Sequence, residues 1–175
     1  WSKIKHKKGA TDAARSKVFS KHSMLIAMES RQANGDIDSP KLAAAIVRAK
    51  KDSMPKENID RAVAKGAGTD GTKLEEIMFE GYGPGGVAML IQTVTDNNNR
   101  TAPIIRNVFS KAGLELGSPG SASWAFTKDT HGHYIPTTPM DLDDETGEKL
   151  ANFIEKLEEE EDVTNIYTTA DTPEE

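Results

Sequence analysis

The hydrophobic period of this chain changes once, near residues 66–72, and that change limits the folds open to it. Before it, apolar residues recur at helical spacing. Val18 and Leu25 stand seven apart, as do Phe19 and Ile26, and Leu42, Ile46 and Ala49 share one face of a second segment. After it, the apolar runs Leu74 to Tyr82 and Val87 to Asp96 have the length and residue types of strands. Gly66 to Thr72, rich in glycine and almost free of large apolar residues, is the expected boundary between a domain of residues 1–68 and one of residues 69–175.

Local signals divide each part further. Thr11 is placed to cap a first helix that carries Asp12 in its first turn and ends at Asn34-Gly35. Ser39 and Pro40 open a second helix. A third starts at Pro55, repeats Ile59, Ala62 and Val63, and is expected to stop at Gly66 and Gly68. In the second part, Gly83-Pro84-Gly85-Gly86 reads as a hairpin loop longer than two residues. Thr101 is expected to cap a helix that ends at Gly113. Ser121 to Phe126 and His133 to Thr137 read as strands, Asp143 to Glu159 as a helix, and Val163 to Thr168 as a last strand. The order ββαββαβ predicts two helices on one face of a mainly antiparallel sheet, so the fold class is α+β, a three-helix bundle followed by a sandwich.

Composition narrows the function. The chain of 175 residues has no cysteine, which removes disulfides, thiolate metal sites and cysteine nucleophiles and suits a reducing compartment, the cytoplasm. At this length roughly 70% of the unfolded surface is buried on folding, so no staple is needed. No apolar run approaches the ~20 residues of a bilayer-spanning helix. The net charge of -6 conceals a split: residues 1–68 hold 15 Lys/Arg against 7 Asp/Glu, and the remainder holds 7 against 21. Such asymmetry points to a polyanion as the partner of the first part.

Three literal motifs lose their usual meaning in context. Gly81, Gly83 and Gly86 satisfy G-x-G-x-x-G, but a strand follows them where a dinucleotide-binding fold has a helix, and Thr101 stands where that fold has a carboxylate. His131 and His133 lack a third ligand at a telling spacing, so no metal is expected. The carboxylates gather as Asp141 to Glu145 and Glu158 to Asp162 at the two ends of one helix, without a nucleophile or base beside them. No catalytic residue, cofactor or small-molecule substrate is expected.

The basic signal has geometry. At 100° per residue, Lys41, Arg48 and Lys51 fall within about 80° of one another, with Leu42, Ile46 and Ala49 centred on the other side of their helix. Lys3, Lys5, His6, Lys7 and Lys8 form a dense cluster, and Arg15, Lys17 and Lys21 follow on the first helix. His22 is expected to supplement them. Trp1 is placed either to stack on a base or to bury its ring. Gly83, Pro84 and Gly85, with Asn97, Asn98, Asn99 and Arg100, are candidate recognition loops, although Asx turns explain the asparagines equally well. Nothing specifies base reading, so DNA and structured RNA both suit the charge.

Five stretches in order carry a resemblance. They are Trp1-Ser-Lys-Ile-Lys-His-Lys-Lys, the segment Asp12 to Lys21, Met54-Pro-Lys-Glu-Asn-Ile-Asp-Arg-Ala, Glu80-Gly-Tyr-Gly-Pro-Gly-Gly-Val and Thr95-Asp-Asn-Asn-Asn-Arg-Thr. Together with Ile135-Pro136 and the closing stretch Asp141 to Tyr167, they resemble the YebC/PmpR family, bacterial type, which includes mitochondrial translational activators of cytochrome c oxidase. The resemblance implies a three-helix first domain, a ferredoxin-like second domain and a further α/β domain inserted within the second. It also implies a nucleic-acid-binding regulator of gene expression. The preferred partner is the ribosome and its RNA, during translation of proline-rich segments; a DNA-binding transcriptional regulator is the alternative, and an adaptor without a nucleic-acid role a third reading. One departure is large: Lys128 runs almost directly into the strand at His133, where family members insert their third domain. Either the chain lacks that domain, or the sequence joins two segments across it and a break is expected near residues 128–132.

Overall fold

The computed structural model describes the backbone of residues 12–171 and the side chains of residues 17–171. Among the described residues the chain divides into two compact units. One runs through the helices to Glu76 and includes Val94–Asn98; the other comprises Ile77–Thr93 and the residues from Asn99 onward.

The helical unit contains α1 (Asp12–Ala33), α2 (Pro40–Lys51) and α3 (Lys56–Ala67). The expected cap Thr11 lies outside the described residues. Asn34 and Gly35 end α1 with φ of 53° and 80°, a left-handed turn in which the Gly35 N–H donates to the Ser30 carbonyl at 2.9 Å. Ser39 and Pro40 begin α2 as expected, although the Ser39 side chain makes no capping bond. Ile26 packs with Leu42, Ala45, Ala49, Met54, Ile59 and Ala62 in one core, while Met24, Ala27 and Met28 on another side of α1 pack with Leu74 and Val94. Burial on two faces makes α1 the central element of its unit.

Gly66 does not stop α3. It lies inside the helix, which ends instead at Gly68 with φ of 75°. A Cβ on Gly66 would run into the Ala27 carbonyl oxygen and stand 2.7 Å from Ser30 Cβ. The glycine is there for close approach of two helix backbones, and the Ser30 hydroxyl spans the same contact by donating to the Val63 carbonyl at 2.6 Å.

The second unit is α+β. Its strands are β1 (Glu75–Tyr82), β2 (Ala88–Thr95), β3 (Leu116–Gly117), β4 (Phe126–Lys128), β5 (Tyr134–Pro136) and β6 (Val163–Thr168), and its helices are α4 (Asn98–Lys111) and α5 (Asp144–Glu158). The main sheet has the order β3-β1-β2-β6, and β4 pairs with β5 separately. Val87, Met89 and Ile91 face α4 and α5, where Phe109 and Phe153 meet edge to face at 4.9 Å. Ala88 and Leu90 point the other way, onto Ala122, Ala125 and Phe126. Two covered faces explain the unbroken apolar run from Val87 to Ile91. Between Gln92 and Thr93 the register against β6 slips, so Val163 and Ile166 both reach the helix-side core.

Two local expectations are corrected. The stretch expected as a strand from Ser121 to Phe126 is mostly a single 3-10 turn, Ser123–Ala125, with the strand beginning only at Phe126. Its N–H groups are taken by a side chain, described below. Thr101 does not cap α4, which starts three residues earlier; Thr101 is buried and its hydroxyl donates to the Asp162 carboxylate at 2.7 Å.

Near residues 128–132 the chain turns as a closed hairpin, with the Asp129 N–H donating to the His133 carbonyl at 2.8 Å and Gly132 at φ of 81°. No helix of the described residues is long and apolar enough to cross a membrane.

Candidate nucleic-acid interface

Helix α2 separates its two characters by face. Leu42, Ala45 and Ala49 are buried, whereas Lys41, Arg48, Lys50 and Lys51 are exposed. Among the described residues none of these four cations has an ion-pair partner. The helix dipole accounts for basic residues in the last turn, where Arg48, Lys50 and Lys51 sit, but it disfavours Lys41 in the first. A surface that carries cations from end to end of the helix therefore needs a reason beyond helix stability.

The other cations differ in exposure. Lys17 is exposed and Lys21 half-buried, one turn apart on α1, and Arg15 lies in the first turn of the same helix. Trp1, Lys3, Lys5, His6, Lys7 and Lys8 lie outside the described residues. His22 does not supplement the basic face: its side chain is 12% exposed and its Nε2 meets the Asp52 carboxylate at 2.6 Å, tying α1 to the residue after α2. Surface pairs Arg31–Glu76 and Lys65–Asp96, at 3.9 and 3.4 Å, belong to the same unit and contribute little.

The two candidate loops are built into their surroundings. Gly83 donates to the Val87 carbonyl at 2.9 Å, Pro84 opens a 3-10 turn, and a Cβ on Gly85 would meet Thr146 Cγ2 at 2.6 Å and Leu142 Cδ2 at 2.9 Å. The loop is packed beneath the start of α5. In the second loop the Asn97 N–H donates to Thr95 Oγ1 at 2.9 Å, and Asn98, already helical, donates its amide to Glu75 at 3.1 Å. Arg100 donates to both oxygens of Asp162 at 3.2 Å, so its guanidinium is anchored to a carboxylate that is 6% exposed. The side chain of Asn99 is exposed.

Two features escape a reading of the sequence by pattern. Glu80 is buried on β1 and collects three backbone N–H groups, from Gly120 at 2.7 Å, Ala122 at 3.1 Å and Ser123 at 2.7 Å. Burial alone would push its carboxyl up, but these bonds, with one from the Ser123 hydroxyl, outweigh it and hold the group below the ordinary glutamate range. On the loop so fixed, Trp124 stands 69% exposed. The available signal was a glutamate in an inward position of the alternating run Met78 to Tyr82. His131 and His133, by contrast, organise a turn: both backbone N–H groups donate to Asp129 Oδ1 at 2.8 Å.

A three-helix unit with a cationic face on α2, joined to an α+β unit built on a four-stranded sheet, is the class of protein that this fold defines. Residues 1–69 match the family model of the TACO1/YebC protein N-terminal domain, and residues 74–132 and 127–170 match that of the TACO1/YebC second and third domain. The chain belongs to the TACO1/YebC family. A probable transcriptional regulatory protein of Treponema pallidum is 35% identical over 236 aligned positions, covering 100% of this chain and 96% of the relative. Those 236 positions exceed the 175 residues of this chain, so the relative carries inserted sequence. A protein of the same name from Desulforapulum autotrophicum is 52% identical over 130 residues, 73% of this chain but only 53% of that relative's length. The chain thus spans about half of that relative in the match. The crystal structure of a conserved hypothetical protein from Aquifex aeolicus superposes with a TM-score of 0.81 at 31% identity, covering 100% of this chain and 98% of the other.

Proposed function

We propose that this chain is a nucleic-acid-binding regulator of gene expression that anchors to structured RNA, ribosomal RNA foremost, through its helical unit, and that it acts as a translation factor for difficult, proline-rich segments rather than as an enzyme. The observation that carries the reading is the exposed stripe Lys41, Arg48 and Lys51 on α2, opposite a buried face and, among the described residues, without ion pairs. Its ends lie about 15 Å apart along the helix, long enough to follow a phosphate backbone. The stripe holds lysine and arginine without a set of Asn and Gln at its side. Such a surface grips phosphates and leaves bases unread. That favours a partner recognised by shape over one recognised by sequence. The absence of cysteine suits the reducing cytoplasm in which ribosomes work.

Reversing the stripe, as Lys41→Glu, Arg48→Glu and Lys51→Glu together, is expected to release the chain from ribosomes in co-sedimentation at low salt. Each phosphate left without its cation lowers the slope of log affinity against log salt by about 0.7–0.9, so the triple variant is expected to lose roughly two units of slope. A triple variant that keeps its helical circular dichroism and still co-sediments unchanged refutes the anchor.

One observation favours a second reading: both relatives described above are named probable transcriptional regulatory proteins. A promoter-specific regulator requires a duplex affinity at least ~10³ above that for random DNA at equal salt. Binding to duplexes that follows salt alone, whatever the sequence, decides against it.

A further inference from the structure

We propose that Trp124 is a stacking platform for one unpaired base of a single-stranded nucleic acid, a second contact beyond the cationic anchor. This rests on the reading of the chain as a nucleic-acid-binding protein and adds the form of nucleic acid it selects.

An indole that is 69% exposed leaves much apolar surface in water. Its one polar atom is already used: Nε1 donates to Tyr82 Oη at 3.0 Å and to the Ser121 carbonyl at 2.9 Å, while Tyr82 Oη donates to that same carbonyl at 2.7 Å. The edge of the ring is satisfied, so what the side chain offers a ligand is its faces. Nor is the ring on a loose loop. It sits in the 3-10 turn Ser123–Ala125, between Ala122 at 0% and Ala125 at 6% exposure, and Glu80 fixes the backbone on its N-terminal side through three N–H bonds. The ordering that a base would otherwise impose on binding is already present in the fold.

Charge and shape select the ligand. The second part of the chain is strongly acidic, yet the stretch that carries the ring, residues 116–128, contains no Asp or Glu, and Asp129 after it is held in its own turn by the His131 and His133 N–H groups. Glu80 beneath it is buried with both oxygens occupied. A phosphate chain can therefore approach here with less repulsion than at the acidic ends of α5. Ser118, Gly120, Ser123 and Thr127, small or polar, neighbour the ring in sequence, and the exposed Tyr82 stands beside it with its hydroxyl bonded to the indole nitrogen. A flat π-face is what remains to match. Bases within a duplex are already stacked, so the platform takes a base from a loop, a bulge or a free strand.

The test uses the full chain and a single-stranded RNA of about eight nucleotides carrying one 2-aminopurine, beside the same strand in a duplex. Anisotropy of an end label reads affinity, and 2-aminopurine emission reads stacking. The expected result is a stacking signal for the single strand alone. Trp124→Ala is expected to abolish that signal and to weaken single-strand binding by the order of tenfold, with duplex binding unchanged and Trp124→Phe retaining part of both effects. Equal single-strand affinity and equal emission in the wild-type chain and Trp124→Ala, with binding otherwise intact, overturn the platform and leave the anchor standing. If no nucleic acid binds at all, the anchor fails too. Self-association abolished by Trp124→Ala, seen as concentration-dependent sedimentation, assigns the ring to a second copy of the chain and likewise overturns the proposal.

Discussion

Glu80→Ala is expected to destabilise the sheet unit by about 3–5 kcal/mol, among the largest effects of any single substitution outside the apolar core. The carboxylate accepts from Gly120 through one oxygen and from Ala122 and Ser123 through the other. Alanine would strand all three donors, and the Ala122 N–H lies where that residue is wholly buried. An unpaired buried donor costs about 1–3 kcal/mol, and the lost bonds were charge-assisted. Glu80→Gln is the sharper control. Its carbonyl can keep Ala122 and Ser123, but its amide then faces the Gly120 N–H, donor against donor, so an intermediate loss is expected.

The same group fixes an acid limit. Because the folded carboxyl is held below its ordinary range by the three N–H bonds, the folded state binds the proton less readily than the unfolded one. Its contribution is complete above the ordinary glutamate range and is lost as pH falls through the folded value. Unfolding by urea across the acid range, followed by far-ultraviolet circular dichroism and by exchange of the Ala122 and Ser123 amides, measures both effects. Wild type and Glu80→Gln losing stability in parallel on the acid side would show that the cradle is not the acid-sensitive element.

Why this cradle escaped the sequence while the helices did not is a matter of distance along the chain. Asn34-Gly35, Pro40 and Pro55 act within one turn of themselves, so the bounds of α1, α2 and α3 are largely legible from local signals. The phase of α2 is legible for the same reason: burying Leu42 and Ala49 forces Lys41, Arg48 and Lys51 outward. The stretch Ser121 to Phe126 reads as a strand because its apolar residues alternate. A glutamate forty residues earlier takes its N–H groups and turns it into a 3-10 corner instead. Thr101 looks like a cap locally, yet Asp162, far along the chain, claims its hydroxyl and Arg100 with it. Of the candidate site, the α2 stripe was legible in full. Trp124 was not, since exposure of a tryptophan is decided by what the fold leaves uncovered.

Gly66→Ala poses the last conflict, because two physical rules give it opposite signs. Helix propensity alone favours alanine inside α3 by about 1 kcal/mol. Packing opposes it. The new methyl would strike the Ala27 carbonyl oxygen and lie 2.7 Å from Ser30 Cβ and 2.8 Å from the Ala27 carbonyl carbon. Two of these three atoms are backbone of the central helix, which cannot swing aside as a flexible side chain can. Overpacking of this kind costs about 1–3 kcal/mol, and contact with backbone puts it at the upper end, so α1 and α3 are expected to separate with a net loss of up to about 2 kcal/mol. The Ser30 hydroxyl, which needs the Val63 carbonyl at 2.6 Å, would lose its partner in the same movement. A lowered urea midpoint with an unchanged m-value is the expected record. A raised midpoint would mean that propensity wins and that the two helices are less closely seated than their backbones indicate. The cationic stripe lies on α2, away from the clash. Nucleic-acid affinity per folded molecule is therefore expected to stay near wild type while the folded fraction falls, which separates this variant from the triple charge reversal, where the fold is expected to persist and binding to fall.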